Sequence, residues 1–121
     1  MRDFLVRGNR QGFFGGRVLL LAAFLFSAGY GENALAKPKT HTVVIEAMQF
    51  SPQVLEVSPG DTVVWVNKDA FPHNATATDR SFQSEKEIAS NGSWKFKAVK
   101  KGTFPYICTL HPTMKASLIV K

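Results

Sequence analysis

The final stretch of the chain, SWKFKAVKKGTFPYICTLHPTMKASLIVK (residues 93–121), reads as three strands and one short connection. In SWKFKAV (93–99), Trp94, Phe96 and Ala98 fall on one face and Lys95 and Lys97 on the other. That period of two marks a half-buried strand, and outward lysines suit a sheet edge that must not pair with strangers. GTFPYIC (102–108) and KASLIVK (115–121) supply two further strands. The connection between them carries Cys108, His111 and Met114 in a C-x2-H-x2-M spacing.

Upstream, the same rhythm continues. THTVVIEAMQF (40–50) reads as one β-branched strand ending at Ser51-Pro52, and VLEV (54–57) leads into the turn signal Ser58-Pro59-Gly60-Asp61. DTVVWVN (61–67) places Val63 and Trp65 on one face, with Val64 and Val66 on the other. Met48, Trp65 and Trp94 are assigned to the core. DRSFQSEKEIASNG (79–92) is too polar and short for a helix, so an excursion is expected, with a short strand or helical turn around Phe82 to Ile88. Seven to eight short strands separated by turn signals describe an all-β protein, a Greek-key β-sandwich.

The N-terminus carries Arg2, Arg7, Arg10 and Arg17, then the apolar run VLLLAAFLF (18–26) and a small-x-small Ala34-Leu35-Ala36. This is the pattern of a secretory signal peptide over residues 1–36, leaving a mature domain over 37–121. The apolar run is well short of the roughly 20 residues needed to span a bilayer, so no stable membrane insertion is expected after cleavage. Losing the leader removes four arginines and two acids, and the formal net charge falls from +6 to +4. The remaining lysines are spread along the chain. Nucleic-acid binding, which needs a clustered basic stripe with suitable aromatics, is therefore not expected.

Export changes what the cysteine means. The chain has one Cys, so no internal disulfide staples this small domain, and an odd cysteine points to intermolecular pairing, a reactive thiol or a metal ligand. A thiolate, an imidazole and a thioether on one loop are the soft and borderline donors that select copper over magnesium, calcium or manganese. Trigonal His2Cys copper sites with a weak axial methionine need a second histidine. His41 and His73 are the candidates. His73, in NKDAFPHNAT just past DTVVWVN, is better placed to reach the same end of a sandwich. His41 sits near the new N-terminus, where a flexible, exposed side chain is expected.

PHN at 72–74 together with CTLHPTM at 108–114 resembles the cupredoxins, the small blue copper proteins, in the short-loop form of amicyanin and its plastocyanin-like relatives. MQFSPQVLEVSPGDTVVWVNKD (48–69) is similar to the N-terminal half of that family. The resemblance implies a cupredoxin-like sandwich with one type 1 copper cycling between Cu(I) and Cu(II). His73, Cys108 and His111 would be strong ligands and Met114 the weak axial one, while Asn74 would tie its loop to the cysteine loop through Thr109. Pro112 would withhold a backbone donor from the cysteine sulfur.

The implied role is that of a monomeric, periplasmic or otherwise exported electron shuttle, not an enzyme. Its partners would be redox proteins docking near His111: a donor dehydrogenase or cytochrome, and an acceptor cytochrome or oxidase. Copper delivery or storage is the alternative. A self-contained oxidase or reductase would need a further metal site, and only His41 is left to build one. The sequence departs from amicyanin-like patterns in a shorter segment between His73 and Cys108, and at Ile107, Leu110 and Thr113. These departures leave the four ligand candidates in place but bear on which partner docks.

Overall fold

The computed structural model describes residues 36–121, which form eight strands and no helix. The expected leader therefore lies, apart from Ala36, outside the described residues. The strands are β1 Thr40–Glu46, β2 Gln49–Ser51, β3 Val54–Val57, β4 Thr62–Asn67, β5 Thr76–Ala77, β6 Ser93–Lys97, β7 Gly102–Ile107 and β8 Lys115–Val120. They make two four-stranded sheets, ordered β2-β1-β4-β6 and β3-β8-β7-β5. β1 runs parallel to β4 and β3 parallel to β8; the other pairs are antiparallel. The all-β sandwich expected from the strand count is the observed architecture.

Alternation decides which side chains meet between the sheets. Val43, Ile45, Val63 and Trp65 come from one sheet, and Ala77, Phe104, Tyr106, Leu118 and Val120 from the other; all are buried. Trp65 and Tyr106 meet edge to face across the interface, with ring centroids 5.7 Å apart. Each such ring removes on the order of 200 Å² from water, about 5 kcal/mol at 25 cal/mol/Å². That outweighs the roughly 1–3 kcal/mol for each buried polar atom left unpaired, here Trp65 Nε1 and Tyr106 Oη. Burial pushes the Tyr106 hydroxyl up to about 12, the Trp65 indole opposing it, although the indole N–H stops short of a hydrogen bond.

β6 lies at a sheet edge with Lys95 and Lys97 exposed. The edge position also leaves Trp94 and Phe96 only partly buried, so Trp94 is less enclosed than a core assignment implies.

Residues 40–50 are not one strand: the chain reverses at Ala47 (φ 51) and Met48 (φ 59), and β1 pairs antiparallel with β2. Two consecutive positive φ values define a type I′ hairpin turn, which favours Asn-Gly over Ala-Met. What holds it here is the Asp69 carboxylate, accepting the N–H of Ala47 at 2.7 Å and of Met48 at 3.0 Å. Met48 consequently stands at a turn, 38% exposed, rather than in the core. Over 79–92 there is neither a named strand nor a helical turn. Isolated bridges from Gln83 to Thr76 and from Ile88 to His73 hold the segment instead.

His41 is neither flexible nor fully exposed. It lies within β1, and its Nε2 meets Asp61 Oδ2 at 2.8 Å. The Asp61 carboxylate also accepts the N–H groups of Lys39 and Ser58, in the Ser58–Asp61 turn where Gly60 takes a φ of +95°. Backbone hydrogen bonds from Lys39 first, then from Ser58, and then the His41 ring hold its pKa down to about 2.

The folded pKa thus lies below the ordinary value of 3.8. Asp61 adds stability that is fully present above about pH 4 and is lost as pH falls toward about 2. Calorimetric melting temperatures should drop across that window. Asp61→Asn should melt lower at neutral pH and show a shallower acid slope, whereas slopes parallel to the parent protein would rule out the carboxylate as the cause.

Candidate metal centre

Three connections meet at one end of the sandwich: the β1–β2 turn, the β4–β5 loop and the β7–β8 loop. The β4–β5 loop is organised by Asn67, fully buried at the end of β4. Its Nδ2 donates to the carbonyls of Phe71 (2.7 Å) and Ile88 (2.8 Å), and its Oδ1 accepts the Asp69 N–H at 2.9 Å. His73 then exchanges backbone hydrogen bonds with Ile88, and its side chain is fully buried.

Asp69 orients that side chain. The oxygen that accepts the Met48 N–H, Oδ2, also meets His73 Nε2 at 2.9 Å. Burial raises the Asp69 pKa, but hydrogen bonds from Met48, His73 and Ala47 together outweigh it and lower the value overall. An ionised carboxylate only accepts, so His73 donates Nε2–H, and the ring's lone pair is on Nδ1. A carboxylate behind a histidine is the usual arrangement around a ligated imidazole.

The β7–β8 loop is folded by its own backbone. His111 N–H donates to Cys108 C=O, Met114 N–H to His111 C=O, and Cys108 N–H to Met114 C=O. Cys108 and Met114 are buried, and His111 is partly so. Asn74 clamps the loop from across the site: its Nδ2 donates to Thr109 Oγ1 at 2.6 Å, and its Oδ1 accepts the Thr109 N–H at 2.9 Å. The Asn74 N–H lies 3.4 Å from Cys108 Sγ.

The structure thereby brings together Cys108 Sγ, His73 Nδ1 and His111 Nδ1. The sulfur is 3.8 Å from each nitrogen, and the nitrogens are 3.2 Å apart. The point equidistant from all three lies roughly 2.1 Å from each, which matches first-row metal–donor lengths of about 2.0–2.3 Å. Met114 joins the group through its backbone contacts with Cys108 and His111 and its burial. A cysteine sulfur, two imidazoles and a thioether are positioned for a copper site. His41 stays apart, bonded to Asp61.

Sequence reasoning missed Asn67 and Asp69. The one available clue was an acid four residues before His73, a spacing with no meaning outside a helix unless the loop's fold is known.

A family model described as a cupredoxin-like domain matches residues 17–120. Amicyanin-alpha of Methylorubrum extorquens is 33% identical over 115 residues, covering 84% of this chain and 92% of that protein. A solved amicyanin variant in its Cu(I) form superimposes with a TM-score of 0.62 at 28% identity, covering 68% of this chain and 82% of that one. A copper-containing nitrite reductase from Thermus scotoductus SA-01 gives a TM-score of 0.63 at 29% identity, but the match spans 22% of that longer chain.

Asp69→Ala should weaken copper affinity about 10–100-fold, as loss of an outer partner of a ligating histidine does. Asp69→Asn, which keeps an oxygen acceptor, should lose less. Competition titration against a chelator checks this, and unchanged affinity in the alanine variant would remove Asp69 from the site.

Proposed function

Because this chain belongs to the cupredoxin family, we propose that it is an exported blue copper protein that carries single electrons between redox partners. In this reading His73, Cys108 and His111 would hold one copper ion, with Met114 as the weak fourth contact. The observation that carries it is the donor triangle with sides of 3.2 and 3.8 Å, behind a partly exposed imidazole. A copper ion bound there would supply a one-electron Cu(II)/Cu(I) couple. The chain's task is to keep the donors still while the charge changes.

Each donor is immobilised separately. Asp69 and Ile88 fix His73, the three backbone hydrogen bonds fix the β7–β8 loop, and Asn74 ties the two loops together. Near the cysteine sulfur the backbone donor in place is the Asn74 N–H. Pro112, one residue past His111, has no N–H to add. A sparsely hydrogen-bonded thiolate favours a higher reduction potential, since hydrogen bonding around that sulfur is one of the levers on it.

His111 provides the exit. Phe71 and Leu110 are 61% and 43% exposed, and with the exposed prolines 72 and 112 they form an apolar rim suited to brief docking. Weak redox encounters use small interfaces, which fits partners such as a dehydrogenase, a cytochrome or an oxidase. His41 is held at the far end of the sandwich by Asp61, so it does not build a second centre beside the first. The arginine-led apolar N-terminus supports export, and among the described residues no helix is long and apolar enough to cross a membrane.

Copper added to the protein should produce an intense thiolate-to-copper visible band and a narrow EPR hyperfine splitting, both lost in Cys108→Ala. Voltammetry should show a reversible one-electron wave with the metal retained through repeated cycles. Colour surviving the alanine substitution would overturn the ligand assignment. Release of Cu(I) to an acceptor on reduction would instead identify a copper-delivery protein.

A further inference from the structure

Among the described residues, Met48 is the methionine that neither the core nor the donor triangle absorbs. It is 38% exposed at a positive-φ turn position, where neither packing nor backbone preference calls for a thioether. Its N–H is held by the same Asp69 oxygen that receives His73 Nε2, so one carboxylate fixes both the Met48 turn and a ring of the metal centre. Between this turn and the β7–β8 loop lies a cleft of about 210 Å³. Met48, Gln49, Phe50 and Gln53 line it from the β1–β2 turn side, and Thr113, Met114 and Lys115 from the β7–β8 loop. Both methionines, the partly exposed Met48 and the buried Met114, therefore border one cleft.

The chemistry of this lining is selective. Thioethers bind Cu(I) and are poor ligands for hard cations. The walls are otherwise largely polar, so a hydrated or weakly complexed ion can enter. Lys115 supplies the one charged side chain in the lining, and its repulsion of a dication is twice that of a monocation at the same place.

Resting on the copper-site reading above, we infer that Met48 is a Cu(I)-capture residue through which the apoprotein is loaded. Cu(I) first exchanges a weak external ligand for the Met48 thioether. It then passes to Met114, which is hydrogen-bonded through its backbone to Cys108 and His111. Its final capture replaces the proton on the Cys108 thiol, which leaves to solvent. Copper remains Cu(I) throughout, so no oxidant or reductant enters the step.

The test compares the apoprotein with its Met48→Leu variant, a near-isosteric change at an exposed position. Each is mixed by stopped flow with Cu(I) buffered by bicinchoninate and, separately, with Cu(II) sulfate. Met48→Leu should slow Cu(I) uptake roughly tenfold, about 1.4 kcal/mol on the uptake barrier. Cu(II) uptake, the visible band of the loaded oxidised protein and its reduction potential should not change. Equal Cu(I) rates in the two proteins, or Cu(I) and Cu(II) uptake slowed alike, would overturn the capture role while leaving the copper site standing. A parent protein that develops no thiolate-to-copper band would overturn the copper-site reading and this inference with it.

Discussion

The hydrogen bonds to the Asp69 carboxylate hold together three things that are separate in the sequence. Ala47 and Met48 donate to it from the β1–β2 turn, and His73 donates from its ring. Sinking a carboxylate into a mostly buried position is costly, and without donors it would take up a proton or stay out in water. With these donors it remains an acceptor, and that has two consequences. A left-handed turn built from Ala and Met becomes tenable, and the His73 ring is locked with Nδ1 facing the cysteine sulfur. The metal centre thus depends on a strand reversal that contributes no ligand to the donor triangle.

Around that carboxylate the site is preorganised by neutral hydrogen bonds. The β7–β8 loop is compact because its own N–H and C=O groups satisfy one another across Cys108, His111 and Met114. Asn74 adds two further bonds to Thr109. The opposite end of the sandwich uses a similar device, with Asp61 joining the start of β1, the Ser58–Asp61 turn and His41. One aspartate at each end closes loops that the hydrophobic interface between the sheets does not reach. This suits a small domain with no internal disulfide.

Legibility differed from residue to residue. Trp94, Phe96, Lys95 and Lys97 announced a half-buried edge strand because side-chain period and sheet face are the same geometric fact. The turn at Ser58-Pro59-Gly60-Asp61 could be read because proline and glycine carry their own backbone preferences. The reversal at Ala47-Met48 could not, since nothing local demands it. Its stabilising carboxylate lies 21 and 22 residues along the chain. The bridges of Gln83 and Ile88 were hidden for the same reason: their partners sit on the β4–β5 side of the loop they close. His41 looked idle until the fold brought Asp61 to it.

By itself, the sequence determined the donor chemistry and the architecture: which residues bear a thiolate, imidazoles and thioethers, and that short alternating strands would stack as a sandwich. Both follow from properties carried by single residues or by neighbours two apart. Only the tertiary structure decided which tautomer His73 holds, that Asp69 holds it, and that Met48 stands at an open cleft instead of in the core. Those outcomes rest on hydrogen bonds between distant segments, whose geometry exists only once the sheets have packed.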